Sequence, residues 1–350
     1  MGRTAKSCNR SCNAAVETAK SFLCDQKSKT ADAGCNLRPK FLHEFVRYAV
    51  VTGSNKGIGL EIVRQLASAG IKVVLTARDE KRGLQALETL KASGLSDFVV
   101  FHQLDVADAS SVASLADFVK SQFGKLDILV NNAGIIGTII NDKELFNLAI
   151  INRGALSADN RKKALTQTYE LAEECLKTNY YGAKITVESL LPLLQLSDSP
   201  KIVNISSTLG QLEDLTVYSC QFQSIPNGSA KSIFSDADNL TEEKVEKVLK
   251  KFLKDFKESS LDNEDNGWPK TLGAYIISKA AMNAYTRIVA KNCPALCINS
   301  VCPGYIVTDI TANTGLLTVE EGAASVVRLA LLPNDSPSGF FFYQSEVSSF

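Results

Sequence analysis

Thr52-Gly53-Ser54-Asn55-Lys56-Gly57-Ile58-Gly59 decides the fold of this 350-residue chain. It continues from Tyr48–Thr52, a short apolar run typical of a buried strand, into Gly57–Ala69, where apolar side chains recur at helical spacing. Glycines at such a turn let the backbone approach a phosphate closely, and the first N–H groups of the helix attract negative charge. The stretch therefore predicts a dinucleotide-binding turn, the alternative being a glycine-rich turn without a ligand. Six of its residues are assigned to the cofactor site: Gly53, Asn55, Lys56, Gly57, Ile58 and Gly59.

Alternating apolar strands and amphipathic helices continue to the C-terminus. Further strands are predicted at 71–77, 98–104, 126–130, 201–206, 296–301 and 339–343, and helices at 81–92, 108–122, 168–191, 272–291 and 318–331. Asp108 is the expected N-cap of one helix, and Thr318 with Glu321 forms a capping box at another. Strands without a polar face are typical of a parallel sheet that helices cover on both sides. The fold class is therefore predicted as α/β, a doubly wound Rossmann fold with a seven-stranded parallel sheet.

Two lid-like insertions interrupt this alternation, at 135–167 and 208–271. Long insertions at the ligand edge of such a sheet are where lids lie. Within the second, Thr241–Ser259 has the spacing of an amphipathic helix whose apolar stripe would pack on the core. We divide the chain into a poorly structured N-terminal extension, 1–46, and a single domain, 47–350.

The composition excludes several classes of function. Lys plus Arg and Asp plus Glu number 38 each, so the chain has no general attraction for nucleic acids or anionic membranes. No apolar run reaches the roughly 18 residues that cross a bilayer. From the charge balance and the absence of such a run, neither nucleic acid nor a membrane is an expected partner. Nine cysteines, an odd number, favour reduced thiols over a disulfide framework. Cys8 and Cys12 are not followed by a second pair of ligands, and no metal site is predicted.

The N-terminal extension bears on the compartment. It lacks the apolar segment of a secretory signal. Its excess of Lys and Arg is compatible with a plastid or mitochondrial transit peptide, whereas Glu17, Asp25 and Asp32 weigh against one. We expect a cytoplasmic protein, or a plastid protein if residues 1–46 act as a transit peptide.

The end of the second strand bears on the choice of cofactor. An acidic side chain there binds the ribose 2′-hydroxyl of NAD, whereas an arginine binds the 2′-phosphate of NADP. Arg78 follows the strand directly and Lys56 lies in the glycine-rich turn, and both cations favour NADPH. Asp79 stands against this prediction, and the alternative is that Arg78 and Asp79 are solvated surface charges.

Five motifs follow one another on matching elements: Thr52–Gly59, Asn131-Asn132-Ala133-Gly134, Asn204-Ile205-Ser206-Ser207, Tyr275-Ile276-Ile277-Ser278-Lys279 and Pro303-Gly304. In this order they resemble the short-chain dehydrogenase/reductase family, from about residue 47 to the C-terminus. The two insertions resemble those of plant members that are monomeric. The resemblance implies a Rossmann fold and a nicotinamide-dependent oxidoreductase.

Tyr275 and Lys279 lie one helical turn apart and share a face of their helix. The unperturbed pKa of tyrosine is about 10, so it is a poor acid at neutral pH unless a nearby ammonium group lowers that pKa. We expect Tyr275 to protonate a carbonyl oxygen while the nicotinamide delivers hydride to the carbonyl carbon. Ser207, at the C-terminal end of its strand, would orient that oxygen with its hydroxyl.

The resemblance assigns further roles. It favours Ser207 over Ser206 as the catalytic serine, and it matches Asn179 to an asparagine that holds a water for proton transfer. It implies cofactor contacts for nine residues: Asp105, Asn132, Ala133, Gly134, Tyr275, Lys279, Pro303, Gly304 and Thr308. The 68 positions from Ser207 to Tyr275 exceed the usual spacing because the second insertion lies between them. By the resemblance this insertion covers the surface on which other members pair, so a monomer is expected.

The resulting hypothesis is an NADPH-dependent enzyme that reduces a ketone or aldehyde on a small apolar molecule. The resemblance favours a terpenoid or an alkaloid of plant specialised metabolism as that molecule. Two alternatives stay open, namely reduction of a C=C bond conjugated to a carbonyl, and a non-catalytic NADPH-binding protein. The candidates for an apolar pocket lining, or equally for core packing, are Ile135, Ile136, Ile139, Ile140 and Phe146.

Overall fold

A computed structural model of the protein describes residues 46–151, 157–212, 225, 228–261 and 267–349. The predicted N-terminal extension, with Cys8 and Cys12, lies outside these residues except for Val46. The strands are β1 Tyr48–Val51, β2 Lys72–Ala77, β3 Val99–Gln103, β4 Ile128–Asn131, β5 Ile139–Ile140, β6 Leu165–Thr166, β7 Lys201–Ile205, β8 Cys297–Cys302, β9 Phe341–Tyr343 and β10 Glu346–Ser348. The helices are α1 Gly57–Ser68, α2 Glu80–Leu90, α3 Ala109–Phe123, α4 Lys143–Ile151, α5 Ala158–Ala164, α6 Tyr169–Leu176, α7 Gly182–Leu194, α8 Ser229–Ser235, α9 Glu242–Lys257, α10 Gly273–Asn292 and α11 Val319–Ala330.

Eight of these strands form one sheet in the order β10-β9-β8-β7-β4-β1-β2-β3. All neighbouring strands in it are parallel except β9 and β10. The order reverses between β1 and β4, and in doubly wound sheets the ligand binds at the carboxyl ends of the strands beside such a reversal. The prediction of an α/β doubly wound Rossmann fold is therefore confirmed.

The number of strands in this sheet is eight, one more than predicted. β10 is an eighth strand that pairs with β9 in the antiparallel direction, through a tight turn in which Gln344 has a φ of +53°. The sequence pattern did not predict it, because Glu346–Ser348 is short and carries a single apolar residue, Val347. The other strands lie within about two residues of their predicted bounds.

The two faces of the sheet bury separate apolar clusters, because side chains alternate along a strand. Val50 of β1 packs on one face with residues of α3, α6, α7 and α10, whereas Ala49 and Val51 pack on the other with residues of α1, α2 and α11. The predicted helix caps are present, since Asp108 accepts a hydrogen bond from Ser110 N and the capping box at α11 is formed. Alternating burial in single strands thus explains the helical layers on both sides.

The insertions add structure outside this layered body. Residues 135–167 contribute α4, α5 and the antiparallel pair β5–β6, and residues 208–271 contribute α8 and α9. In α9 the predicted apolar stripe is buried, with Val245, Leu249 and Phe252 fully inside the cluster that α10 shares. This stripe is therefore core packing.

Candidate active site

A cavity of about 930 Å³ opens at the carboxyl ends of the central strands. It is bordered by the residues that follow β1, β2, β3, β4, β7 and β8. Of the predicted site residues, the ones that line it are Gly53, Asn55, Lys56, Gly57, Ile58, Gly59, Arg78, Asp105, Asn132, Ala133, Gly134, Ser207, Tyr275, Lys279, Pro303, Gly304 and Thr308. The exception is Asn179, which lies fully buried behind the wall.

The stretch after β1 depends on its glycines, as Gly53 and Gly59 show. Gly53 has a φ of +59°, and a Cβ atom on it would lie 2.9 Å from Cα of Ala133. A Cβ atom on Gly59 would lie 2.4 Å from Nδ2 of Asn132. The turn thus packs directly on the segment after β4, and it brings the N-terminus of α1 to the cavity, where a phosphate is favoured.

Thr52 and Asn132 hold this turn in place. Nδ2 of Asn132 donates hydrogen bonds to the carbonyl oxygens of Thr52 and Gly53, both at 2.8 Å. Oγ1 of Thr52 accepts from the backbone N–H groups of Asn132 and Ala133, at 2.9 and 3.0 Å. The side chain of Asn132 is therefore used to support the turn. Thr52 was not predicted as a residue that supports the site. Its place at the start of the glycine-rich stretch is the sequence signal that could have identified it.

The segment after β2 brings three charged side chains to the cavity, Arg78, Asp79 and Arg82. Oδ1 of Asp79 accepts a hydrogen bond from Arg82 N at 2.9 Å and so caps α2, while its Oδ2 lies 3.7 Å from Nε of Arg82. Because both oxygens of Asp79 have partners on α2, the main objection to an NADP site is weakened. Arg82 was not among the predicted site residues; its signal in the sequence is its place four residues after Arg78, in the first turn of a helix.

Lys56 forms an ion pair with Asp309, in the loop after β8. Both side chains are largely exposed, and both residues line the cavity. The hydrogen bond and positive charge of Lys56 lower the pKa of Asp309. The ammonium group that was predicted to favour NADP therefore already has a carboxylate partner, which a phosphate would have to compete with or join.

Asp105 and Thr308 line other parts of the cavity. Oδ1 of Asp105 accepts from Ala107 N at 2.9 Å, so one of its oxygens forms the turn after β3. Thr308 precedes a short helical turn, Asp309–Thr311, and its N–H donates to Oγ1 of Thr311 at 3.2 Å. Both positions are compatible with cofactor contacts, which stay predictions.

Ser207 and Tyr275 meet in the cavity despite their separation in sequence. Both residues line it, and the hydroxyl of Ser207 is near enough to the phenol of Tyr275 to act to lower the pKa of that phenol. Oγ of Ser207 also accepts a hydrogen bond from Leu209 N at 3.2 Å. Ser206 differs, since it is buried and its hydroxyl donates to the carbonyl oxygen of Lys279 at 3.3 Å. Ser206 thus fastens β7 to α10, whereas Ser207 is the serine that contacts the phenol.

Lys279 lies beside the ring of Tyr275. Its Nζ is 5.6 Å from the ring centroid and donates to the carbonyl oxygen of Ile205 at 2.7 Å. Burial raises the pKa of Tyr275, and only its hydrogen bond to Ser207 acts to lower it. The expected lowering of this pKa by Lys279 is therefore not observed, because the ammonium group contacts a backbone carbonyl and the ring face.

Asn179 lies in a wide helical turn, Lys177–Tyr181, between α6 and α7. Its Oδ1 accepts from Ile135 N at 2.8 Å, and its Nδ2 donates to Ile135 O at 2.9 Å and to Oγ of Ser278 at 3.0 Å. A Cβ atom on Gly134 would lie 3.3 Å from Oδ1 of Asn179 and 3.6 Å from Nζ of Lys279. Asn179 therefore stands next to Lys279 but holds the start of the first insertion with its side chain.

Sequence comparison decides the family. Residues 47–221 match the pattern that defines the family described as short chain dehydrogenase. The chain belongs to the short-chain dehydrogenase/reductase family. This membership confirms the resemblance and makes the protein an oxidoreductase.

Plant relatives match nearly the whole length of this short-chain dehydrogenase/reductase. Short-chain dehydrogenase/reductase 1 of Saponaria officinalis is 55% identical, with 87% of this chain and 96% of the relative covered. (+)-Neomenthol dehydrogenase of Arabidopsis thaliana is 54% identical, with coverage of 88% and 99%. The solved structure of salutaridine reductase from Papaver somniferum superimposes with a TM-score of 0.74 at 50% identity, covering 85% of this chain and 99% of its own. The predicted similarity to plant members is thus confirmed.

The cavity of this short-chain dehydrogenase/reductase has an apolar part. Ile135 and Ile136 line it as predicted, whereas Ile139 and Ile140 form β5 outside it and Phe146 is buried in the core. The pattern could not separate these residues, since lining and core positions are equally apolar. The other branched apolar side chains that line the cavity are Ile58, Leu104, Val106, Ile205, Ile306, Val307 and Ile310.

The described residues contain neither a cluster that could hold a metal ion nor a helix that could span a membrane. Among them, no group of three or more His, Cys, Asp or Glu side chains is arranged to hold a metal ion. No helix in this part of the chain combines the length and the apolar composition that a membrane crossing requires. Cys8 and Cys12 lie outside the residues to which these findings apply.

The stability of the protein is expected to depend on pH through Lys279. Burial lowers the pKa of Lys279 to about 8, from 10.5 in the unfolded chain. Between these values only the unfolded chain holds the proton, so unfolding takes up a proton and rising pH favours the folded protein. The free energy of unfolding should therefore rise by about 2 kcal/mol between pH 8 and 10 relative to that of Lys279→Met.

Urea denaturation of both proteins at several pH values would measure this difference. Using the difference removes groups that titrate alike in the two proteins. Parallel pH profiles for the two proteins would show that Lys279 keeps its ordinary pKa after folding.

Proposed function

We propose that the protein is an NADPH-dependent carbonyl reductase. The observation that carries the proposal is that Ser207, Tyr275 and Lys279 line the same cavity as the glycine-rich turn, with Nζ of Lys279 5.6 Å from the centroid of the Tyr275 ring. A proton donor, a hydroxyl that orients an oxygen and a phosphate-binding turn are what reduction of a carbonyl by a nicotinamide needs. NADPH is preferred over NADH because Arg78 and Arg82 border the cavity while Asp79 caps α2.

Each side chain of the site has a separate role in the reduction of the carbonyl group. Bound NADPH supplies the hydride that reaches the carbonyl carbon. The phenol of Tyr275 donates its proton to the carbonyl oxygen, and the hydroxyl of Ser207 donates a hydrogen bond to the same oxygen and orients it. The phenolate that remains must regain a proton from solvent, and Lys279, one helical turn along α10, lies beside its ring. Asn179 positions the backbone at Ile135, which forms the cavity wall.

We propose a small apolar ketone or aldehyde as the substrate, of terpenoid or alkaloid type. Two observations support this class. Branched apolar side chains from the first insertion and from the loop after β8 line the cavity. The relatives include proteins named for neomenthol and for salutaridine.

A panel of cyclic terpenoid ketones, alkaloid ketones and aldehydes, assayed with NADPH and with NADH, tests the proposal. We expect NADPH oxidation with an apolar ketone and an alcohol as product. An enone in the panel separates the first alternative, because conversion to a saturated ketone would indicate C=C reduction. Tight NADPH binding without turnover of any compound would favour a non-catalytic protein.

We propose that the protein is a monomer. Lys184 on α7 is largely buried, and its Nζ lies 2.7 Å from Glu242 and 2.9 Å from Glu246, both on α9. Together with the buried apolar stripe of α9, these ion pairs hold the second insertion over α7 and α10. Sedimentation equilibrium should give the mass of one chain, 37.8 kDa. A stable dimer or tetramer at micromolar concentration would contradict the proposal.

We propose the cytoplasm as the compartment. The described cysteines, Cys175, Cys293, Cys297 and Cys302, are all free, which is typical of a reducing environment. Fluorescent fusions of the full chain and of residues 47–350 would test this proposal. A plastid signal that depends on residues 1–46 would instead identify a transit peptide.

A further inference from the structure

The loop between β8 and α11 is held in one shape by its own backbone. The carbonyl oxygen of Tyr305 accepts hydrogen bonds from Leu316 N at 2.7 Å and Leu317 N at 3.0 Å, and Val307 N donates to Leu317 O at 2.9 Å. These bonds join the two ends of the loop. The direction in which the side chain of Tyr305 leaves the backbone is therefore set by the fold.

Tyr305 joins this loop to the first insertion. Its hydroxyl donates a hydrogen bond to Oδ1 of Asn147 on α4 at 3.3 Å and also contacts Oγ1 of Thr314. The neighbour of Asn147, Phe146, is buried in the core and anchors α4 there. The bond thus connects a helix anchored in the core with a loop anchored by its backbone.

The loop lines the cavity on either side of Tyr305, and α4 belongs to the insertion whose first residues line it. The first insertion supplies Ile135 and Ile136, and the loop supplies Gly304 and Ile306 on either side of Tyr305. Large apolar side chains stay exposed on the same two segments: Leu148 next to Asn147, and Val307 and Leu316 on the loop. Of these three, Val307 also lines the cavity, where an exposed apolar side chain is suited to an apolar ligand because burying it is favourable.

We propose that the hydrogen bond between Tyr305 and Asn147 determines substrate specificity by holding α4 and the loop together over the substrate end of the cavity. Held in place, the two segments shield a bulky apolar substituent from water, which favours a large ketone over a small one. Tyr305 and Asn147 are positioning residues in this role and take no part in proton transfer. The inference rests on the proposed carbonyl reduction and deepens it.

The cofactor end of the loop has a separate anchor. Asp309 pairs with Lys56 in the glycine-rich turn, four residues beyond Tyr305. Loss of the Tyr305–Asn147 bond therefore leaves the contact between the loop and the cofactor turn in place. We expect the KM for NADPH to stay unchanged when the bond is removed.

The test compares two ketones with the same reacting group, cyclohexanone and 4-phenylcyclohexanone, in kcat/KM with NADPH. Wild type should prefer the phenyl compound. Tyr305→Phe and Asn147→Ala should each reduce that preference about 3- to 10-fold, the range for one hydrogen bond, through a higher KM for the phenyl compound. The double variant should lose no more than Tyr305→Phe alone, because that single variant already lacks the bond to Asn147.

Tyr169→Phe is the matched control, since it removes a tyrosine hydroxyl that bonds Glu173 at an exposed place outside the cavity lining. It should keep the wild-type preference. The inference is overturned if wild type reduces both ketones and the Tyr305 and Asn147 variants keep its preference, or if their effects multiply in the double variant. If wild type reduces neither these ketones nor any carbonyl compound of the panel, the proposed function fails together with the inference.

Discussion

Tyr275→Phe is expected to lower kcat for ketone reduction by about three orders of magnitude, the middle of the range for a positioned general acid. The change removes the hydroxyl that contacts Ser207 and keeps the ring that packs beside Lys279. A phenylalanine cannot donate a proton to the carbonyl oxygen, so the alkoxide would have to form unprotonated or take its proton from water. The measurement is NADPH oxidation under saturating ketone.

The substitution should slow the chemical step and leave the binding of NADPH unchanged. Because the substitution removes one oxygen and no apolar contact, NADPH should bind with about the same dissociation constant, as measured by fluorescence titration. Tyr285→Phe provides the matched control on the same helix, since Tyr285 is buried in the core cluster and does not line the cavity. Full activity of Tyr275→Phe would mean that another group donates the proton, and the mechanism would be wrong.

Replacing Arg78 and Arg82 together by alanine should raise the KM for NADPH by about two to three orders of magnitude, the sum of two charge-assisted hydrogen bonds to one phosphate. The KM for NADH should change little, because NADH has a hydroxyl where NADPH has the 2′-phosphate. The enzyme would then use both cofactors with similar efficiency. Initial rates with each cofactor at a fixed ketone concentration measure this ratio.

Arg64→Ala serves as the control for the arginine pair. Arg64 lies on α1, pairs with Glu61 and does not line the cavity, so its loss should leave the cofactor preference unchanged. An equal rise in KM for NADPH and NADH in the Arg78 and Arg82 variant would show that these side chains act on a part shared by both cofactors. The 2′-phosphate assignment would then be withdrawn.

Local sequence patterns were sufficient to predict most strands and helices of the sheet, and to pair Tyr275 with Lys279 in the site. The strands and the helices that cover the sheet were predictable because alternating burial and helical spacing are properties of neighbouring residues. Tyr275 and Lys279 could be paired for the same reason, since four positions on a helix fix their relative placement. β10 was missed because three residues with one apolar side chain carry no periodicity.

Contacts between distant segments followed from no local pattern. Whether Ser206 or Ser207 faces the phenol depends on how β7 packs on α10, and the family resemblance alone had favoured Ser207. Asp79 caps α2, so the objection that it raised against NADPH could be judged only from its hydrogen bonds. The lowering of the Tyr275 pKa was expected from spacing, but burial and the direction of the Lys279 side chain oppose it.

The sequence by itself determined the class of fold, the glycine-rich turn and the pairing of Tyr275 with Lys279 on one helix face, since each depends on the spacing of neighbouring residues. The tertiary structure alone decided that Ser207 contacts Tyr275, that Asn179 binds Ile135, and that Tyr305 reaches Asn147. These contacts join segments separated by long stretches of chain, and their geometry is set by the packing of helices and loops on the sheet. Local preference encodes the elements, whereas only the packed chain brings their side chains together.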